Sequence, residues 1–307
     1  MALTLPLSAT ASTVIQGDVN CDGVVNINDV TLLIDHLLNS SGNDNAADDV
    51  NGDGLASISD LTSLIDLLLS PTPTQTVTVS VNGVEFVMIP VEGGTFTMGA
   101  LAEETEYARR NEYPAHEVTL NGYYISQTEV TWEQWLAVSG GDIDSFDGDL
   151  HGPVVNMSLF DCAKFVDALT EITGKVFRLP TEAEWEFAAR GGSGGVRYRF
   201  AGSNDIDLVA WYQDNADNTP HRVATKMPNS LGLYDMTGNV MEWCQDFYGS
   251  YDSEPQVNPV GPESGYTNVV RGGAWDLPMT SCHVTCRYSF DPYERTDNLG
   301  LRIVMNM

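Results

Sequence analysis

Residues 18–29 (DVNCDGVVNIND) and 49–60 (DVNGDGLASISD) superimpose at an offset of 31 residues. Oxygen-bearing side chains stand at positions 1, 3, 5, 9 and 12 of both stretches. They are Asp18, Asn20, Asp22, Asn26 and Asp29 in the first, and Asp49, Asn51, Asp53, Ser57 and Asp60 in the second. Position 6 is Gly23 or Gly54, which permits a sharp turn, and the carbonyl of Val24 or Leu55 at position 7 supplies a further oxygen. Hard cations want six to eight oxygens, and this is the order in which an EF-hand-like loop delivers them to calcium. Two such loops in register predict two calcium ions. Position 12 is Asp where Glu is usual, a shorter arm that still reaches the ion. Each loop runs into an apolar stripe, Val30, Leu33, Ile34, Leu37 and Leu38, repeated as Leu61, Leu64, Ile65, Leu68 and Leu69. That spacing predicts two amphipathic helices. So small a module buries too little apolar surface to stand on helix pairing alone, so metal binding contributes to its folding.

The charge balance agrees. The 307 residues carry 43 acidic and 14 basic side chains, a formal charge of −29, and the first Lys or Arg is Arg109. Such a chain repels phosphate backbones and anionic lipid, so neither a nucleic acid nor a membrane surface is an expected partner. No apolar run is long enough to span a membrane. The opening MALTLPLSATA resembles the tail of an export signal ending in a small-x-small site, although it lacks a basic start. Residues 1–16 therefore read as a leader, and secretion or a cell-surface location is expected.

The doubled loop and helix over residues 17–70 resemble a type I dockerin, a small all-α module. The resemblance implies docking onto a cohesin-like module or another extracellular anchor, with Ile27-Asn28 and Ile58-Ser59 near the docking face. A Pro/Thr-rich linker follows over residues 71–80. Residues 81–307 then read as an α+β body rich in loops. Strands are expected at Thr76–Val81, Glu85–Val91 and Glu117–Ile125. Thr131 with Gln134, Ser158 with Asp161, and Thr181 with Glu184 each form a capping box opening a helix. Those helices should run over Thr131–Val138, from Ser158 through Ile172, and over Thr181–Arg190.

The motifs FVMIP (86–90), GGTFTMG (93–99), RLPTEAEWE (178–186), GLYDMTGNVMEW (232–243), RGGAW (271–275) and NLGLR (298–302) occur in this order. Together they resemble the formylglycine-generating enzyme (sulfatase-modifying factor) family, which has an irregular C-type-lectin-like fold, over about residues 84–305. That resemblance implies a copper- and oxygen-dependent oxidase that matures sulfatases, with two thiolates on the cuprous ion. Here the first thiolate position is Leu277 and the second is Cys282, so half of the soft donor set is missing and copper is not expected. Cys282 would be catalytic only in an oxidase. The family's calcium positions survive at Asp235, Gly238, Val240 and Glu242, where a third ion is expected; the competing reading pairs Glu242 with a core Arg. A second family calcium site near Asn215 matches poorly.

Five cysteines, Cys21, Cys162, Cys244, Cys282 and Cys286, show no two-residue spacing. That excludes a zinc knuckle or redox pair of the usual kind. Read as one strand over Ser281–Phe290, the segment would hold Cys282 and Cys286 about 13 Å apart, too far to share an ion. A disulfide from Cys244 to either stays open. His36 reads as solvated, and the other histidines lack metal-site spacing.

In one branch of the lectin-fold family, retroelements diversify codons near the C-terminus into NNY codons. Asp276, Leu277, Pro278, Cys286, Tyr288, Phe290, Asp291 and Tyr293 are all encodable that way. The expected function is therefore ligand binding, to a protein or a glycan, through Trp275, Asp276, Leu277, Pro278, Tyr288, Phe290, Asp291 and Tyr293. Such a domain would be a variable protein rather than an enzyme, and a true oxidase is the alternative.

Overall fold

The computed structural model describes residues 19–20, 27–39, 48, 50, 56–69, 75–102, 104, 106–142 and 146–307. The chain divides into two compact units, residues 1–74 and 75–307.

In the smaller unit, α1 (Ile27–Asn39) and α2 (Ile58–Leu69) follow the two loops. Leu33 and Leu64 are fully buried with Val30, Val19 and Val50. The expected stripe is wider than what is covered: Leu38 is 75% exposed, and Ile34 and Ile65 keep over a third of their surface open. One partner helix shields only one ridge of side chains. Ile27 and Ile58 also stand exposed at the two helix starts. Asp29 and Asp60, at position 12 of each loop, are buried and turned back onto their loops. Asn20 N donates to Asp29 Oδ1 (3.0 Å), and Ser57 N and Oγ donate to Asp60 Oδ2 (2.7 and 3.1 Å). Asp18, Asp22, Val24, Asn26, Asp49, Asn51, Asp53 and Leu55 lie outside the described residues. His36 is not simply solvated: its Nδ1 lies 2.9 Å from Oδ2 of the buried Asp48.

The larger unit runs β1 (Val77–Val81), β2 (Val84–Val91), β3 (Gly94–Met98), β4 (His116–Leu120), β5 (Tyr123–Ser126), α3 (Trp132–Ser139) and α4 (Leu159–Thr173). Then come β6 (Phe177–Arg178), α5 (Glu182–Ala189), α6 (Ile206–Val209), β7 (Met241–Phe247), β8 (Gln256–Val257) and β9 (Asn268–Arg271). Strands β10 (Arg287–Phe290), β11 (Leu299–Gly300) and β12 (Val304–Asn306) complete it. Among the described residues three sheets form, in the orders β1-β2-β5-β12-β6, β10-β9-β7-β11 and β3-β4-β8. The last strand thus closes the first sheet, placing β12 between β5 and β6.

All three capping boxes form, and each side-chain oxygen accepts its backbone N–H as the spacing requires. The single strand expected over Glu117–Ile125 is two strands, β4 and β5, because the chain turns at Asn121-Gly122 and enters a second sheet. The strand expected over Ser281–Phe290 shrinks to β10; residues 279–281 are a 3-10 turn and residues 282–285 are bends and turns. The β-branched residues Val284 and Thr285 are instead buried in the turn, where packing outweighs strand preference.

Candidate functional site

The scaffold beneath the C-terminal surface is ionic as well as apolar. Every residue of α5 is buried, including Glu182, Glu184 and Glu186. Glu182 takes a two-pronged contact from Arg287, with Nε and Nη2 donating at 2.7 and 2.6 Å. Glu186 pairs with Arg190 (2.7 Å) and with the fully buried Arg271. Burial alone would raise the Glu186 carboxyl, but Arg190 and Arg271 outweigh it and hold the group at about 2. Sequence reading placed these acids on a helix without their partners, because Arg271 and Arg287 arrive from strands 85 and 105 residues away.

The 235–242 loop is the second acidic centre. Asp235, Gly238 and Asn239 all have left-handed backbone, with φ of 58°, 76° and 57°. A Cβ on Gly238 would lie 2.2 Å from the Trp211 carbonyl, so only Gly fits. Glu242 is given to Arg302: Nε donates to both carboxylate oxygens (3.1 and 3.0 Å), Nη2 donates at 2.9 Å, and Trp185 Nε1 adds a 2.6 Å bond. Asp235 accepts from Ala224 N through Oδ2, whereas its buried Oδ1 has no partner. Burial pushes Asp235 up to about 6. Buried Glu129, which the sequence reading missed, accepts from Asn239 Nδ2 and Val240 N; burial and then repulsion from Asp235 and Glu242 raise it well above the carboxylate range. Three acids thus share one guanidinium. Asn215 is committed within the protein, with its amide donating to Asp207 and Ala210 and its carbonyl accepting from Tyr212 N.

Leu277 and Cys282 occupy the two thiolate positions of the resemblance. Leu277 packs against the cluster containing Cys282, Phe200 and Tyr212. Cys282 is 1% exposed, and burial pushes its thiol up to about 12. Its Sγ lies 3.7 Å from the Pro278 carbonyl and 4.0 Å from those of Ala274 and Leu277. At Gly273 (φ 75°) any Cβ would sit 2.6 Å from that sulfur. Cys162, Cys244, Cys282 and Cys286 are all free thiols, so the disulfide left open for Cys244 is not formed. Because residues 282–286 turn rather than extend, the 13 Å separation expected for Cys282 and Cys286 at strand rise does not apply.

The eight residues expected to bind ligand fall into linked patches. Trp275 donates from Nε1 to the Asp297 carbonyl (3.3 Å), and both oxygens of Asp276 accept from Asn298 Nδ2 (3.0 Å). Pro278 is exposed, and Leu277 is turned inward. Tyr288 donates to the Ser281 carbonyl, and Arg109 bridges Ser281 Oγ (2.7 Å) and Tyr288 Oη (3.3 Å). Phe290 meets Trp243 edge-on. Asp291 caps Tyr293 N, and the exposed Tyr293 ring lies tilted against Phe160, with centroids 4.8 Å apart. Arg109 was not anticipated; it is the chain's first basic residue, and only folding brings it to residues 281 and 288.

Residues 76–307 match the sulfatase-modifying factor enzyme 1-like domain, and residues 16–69 match the dockerin type I domain. The chain belongs to the sulfatase-modifying factor family and carries a dockerin ahead of that domain. It is 32% identical over 251 residues to the serine/threonine-protein kinase pkn1 of Chlamydia pneumoniae, covering 72% of this chain and 38% of the kinase's own length. It is 29% identical to the formylglycine-generating enzyme of Streptomyces coelicolor, over 70% of this chain and 87% of that protein. Among solved structures, variable protein 1 of Treponema denticola superimposes with a TM-score of 0.68 and 30% identity, over 76% of this chain and all of its own. The fold is therefore the C-type-lectin-like one that the motifs implied. Dockerins are calcium-binding modules of extracellular proteins and take cohesins as partners, and the buried Asp29 and Asp60 fit a calcium loop closed by its last carboxylate. Among the described residues, no helix is long and apolar enough to cross a membrane.

Proposed function

We propose that this chain is an exported protein whose dockerin, over residues 17–70, anchors it to a cohesin-bearing partner. In this reading the larger unit, residues 75–307, binds a protein or glycan without catalysis; its β1 takes in residues 77–80 of the stretch expected as linker. One observation carries the non-catalytic reading: Leu277 stands where a thiolate is needed, and Cys282 is a buried, protonated thiol. At those two positions soft Cu(I) finds one sulfur instead of two. Likeness to a variable protein supports binding through Trp275–Pro278 and Tyr288–Tyr293, whose exposed members include Pro278, Asp291 and Tyr293. On this reading the unusual residues at 277 and 278 come from retroelement diversification, whereas the equally unusual Cys286 is buried and faces no ligand. The gene should then lie beside a reverse transcriptase and an adenine-rich template repeat, and identical codons in many isolates would count against it.

A third calcium centred on Asp235, with the carbonyls of Gly238 and Val240, is supported by the unpartnered, buried Asp235 Oδ1. Glu242 joins that ion only by loosening its hold on Arg302. Calcium titration of Asp235→Asn should lose one ion of three; an unchanged count refutes the site.

Similarity to a formylglycine-generating enzyme favours the alternative, a sulfatase-maturing oxidase. The deciding assay loads the protein with copper in air and adds a peptide bearing Cys-x-Pro-x-Arg. No aldehyde is expected, and stoichiometric aldehyde would overturn the proposal. Tyr293→Ala should in turn lower capture on glycan or protein arrays at least tenfold.

A further inference from the structure

Beneath the same surface lies a cluster that neither the calcium loops nor the ligand patches use. Glu112 ends a 3-10 turn at residues 110–112, while His283 and Cys286 sit three apart on the turn entering β10, joined by a bond from Cys286 N to the His283 carbonyl (2.9 Å). One donor atom from each of the three lies within 4.8 Å of the others, and all three residues are buried.

We propose that Glu112, His283 and Cys286 form a closed site for a zinc-class divalent ion. Sulfur, imidazole nitrogen and carboxylate oxygen are zinc's donors, and tetrahedral bonds of about 2.0–2.3 Å bring such atoms within about 3.3–3.8 Å of one another. The observed spread is thus about an ångström from closure. Calcium is a poor fit, because a thiol and an imidazole are not its ligands.

The hydrogen bonding of the imidazole shows which of its nitrogens faces the cluster. His283 Nε2 lies 3.0 and 2.9 Å from the two oxygens of Glu112, but the buried Nδ1 has no hydrogen-bond partner. An ion shared with Glu112 binds through Nε2, the nitrogen that faces both carboxylate oxygens. Glu112 is itself held by Thr285 Oγ1 (2.6 Å) and Arg109 N (3.0 Å). Burial would raise its carboxyl, but His283 and Thr285 outweigh that and keep it ionised.

Binding replaces the Cys286 thiol proton, so one proton leaves as the sulfur–metal bond forms. Zn²⁺ with one carboxylate and one thiolate is then neutral, which a buried site tolerates. Cys286 is 1% exposed, so the ion is structural: it ties the turn carrying Ser281 and Tyr288 to the Arg109–Glu112 segment.

The experiment uses the full chain in calcium buffer. Elemental analysis after growth in zinc-supplemented medium should find about one zinc per chain. Cobalt loading should give tetrahedral d–d bands and a thiolate-to-cobalt absorption in the near ultraviolet. That absorption should vanish in Cys286→Ser and persist in Cys282→Ser. A zinc-selective chelator should lower the melting temperature of the parent chain. No zinc above background, no thiolate band, or a band that survives Cys286→Ser but not Cys282→Ser overturns the proposal. If Cys286→Ser fails to fold, the parent's zinc content and cobalt spectrum decide.

Discussion

Asp246→Asn should stabilise the larger domain, and only above acidic pH. Asp246 lies in β7, is 4% exposed, and accepts the Glu182 N–H at 2.9 Å. Burial, followed by repulsion from Glu182, pushes its carboxyl from 3.8 up to about 8. A raised carboxyl is bound to its proton in the fold where the unfolded chain has released it. Its contribution is therefore fully present below pH 3.8 and is lost as pH rises through about 8. At 1.36 kcal/mol per unit, three units between 3.8 and 7 correspond to a ceiling of about 4 kcal/mol at pH 7. Asparagine keeps the shape and the acceptor oxygen but never ionises. All six tryptophans lie at or beyond Trp132, so intrinsic fluorescence follows this domain alone. Urea unfolding of both forms in saturating calcium should show near-equal stability at pH 4. The variant should then lead increasingly up to pH 7 and level off near pH 8. A difference that is flat from pH 4 to 8, or a variant less stable at pH 7, would refute the reasoning.

Other expectations use the same readout. Arg302→Met leaves Glu242 buried without its guanidinium and should cost about 3–5 kcal/mol; a loss under about 1 kcal/mol would mean water or an ion already serves Glu242. Glu186 is depressed from 4.5 to about 2, so its contribution is present above 4.5 and is lost as pH falls through about 2. Glu186→Gln should therefore remove about 3 kcal/mol at neutral pH and flatten the acid limb of the stability curve; an unchanged acid limb would contradict the pairing with Arg190 and Arg271. Calcium chelation should abolish the helical circular dichroism of residues 17–70 while tryptophan emission shifts little, and Asp29→Ala with Asp60→Ala should mimic it. Helical signal that persists in chelator would count against calcium-dependent folding.

Features whose causes are local were legible in the chain. The oxygen spacing of the calcium loops, the stripes of α1 and α2, and the capping boxes at Thr131, Ser158 and Thr181 depend on neighbours within a few residues. The ordered motifs from 86 to 302 carry the lectin-like fold, and Leu277 by itself marks the missing thiolate of the resemblance. Errors arose where distant packing overrides local preference, as in the turn at 282–286, whose Val284 and Thr285 had suggested a strand.

What folding alone decided is which charges meet. Arg302 reaches Glu242 across 60 residues, Arg287 reaches Glu182 across 105, and His283 reaches Glu112 across 171. No periodicity links such residues, because their pairing follows from which strands the sheets set side by side. A buried charge must find its partner through space, whereas a calcium loop finds its ligands along the chain.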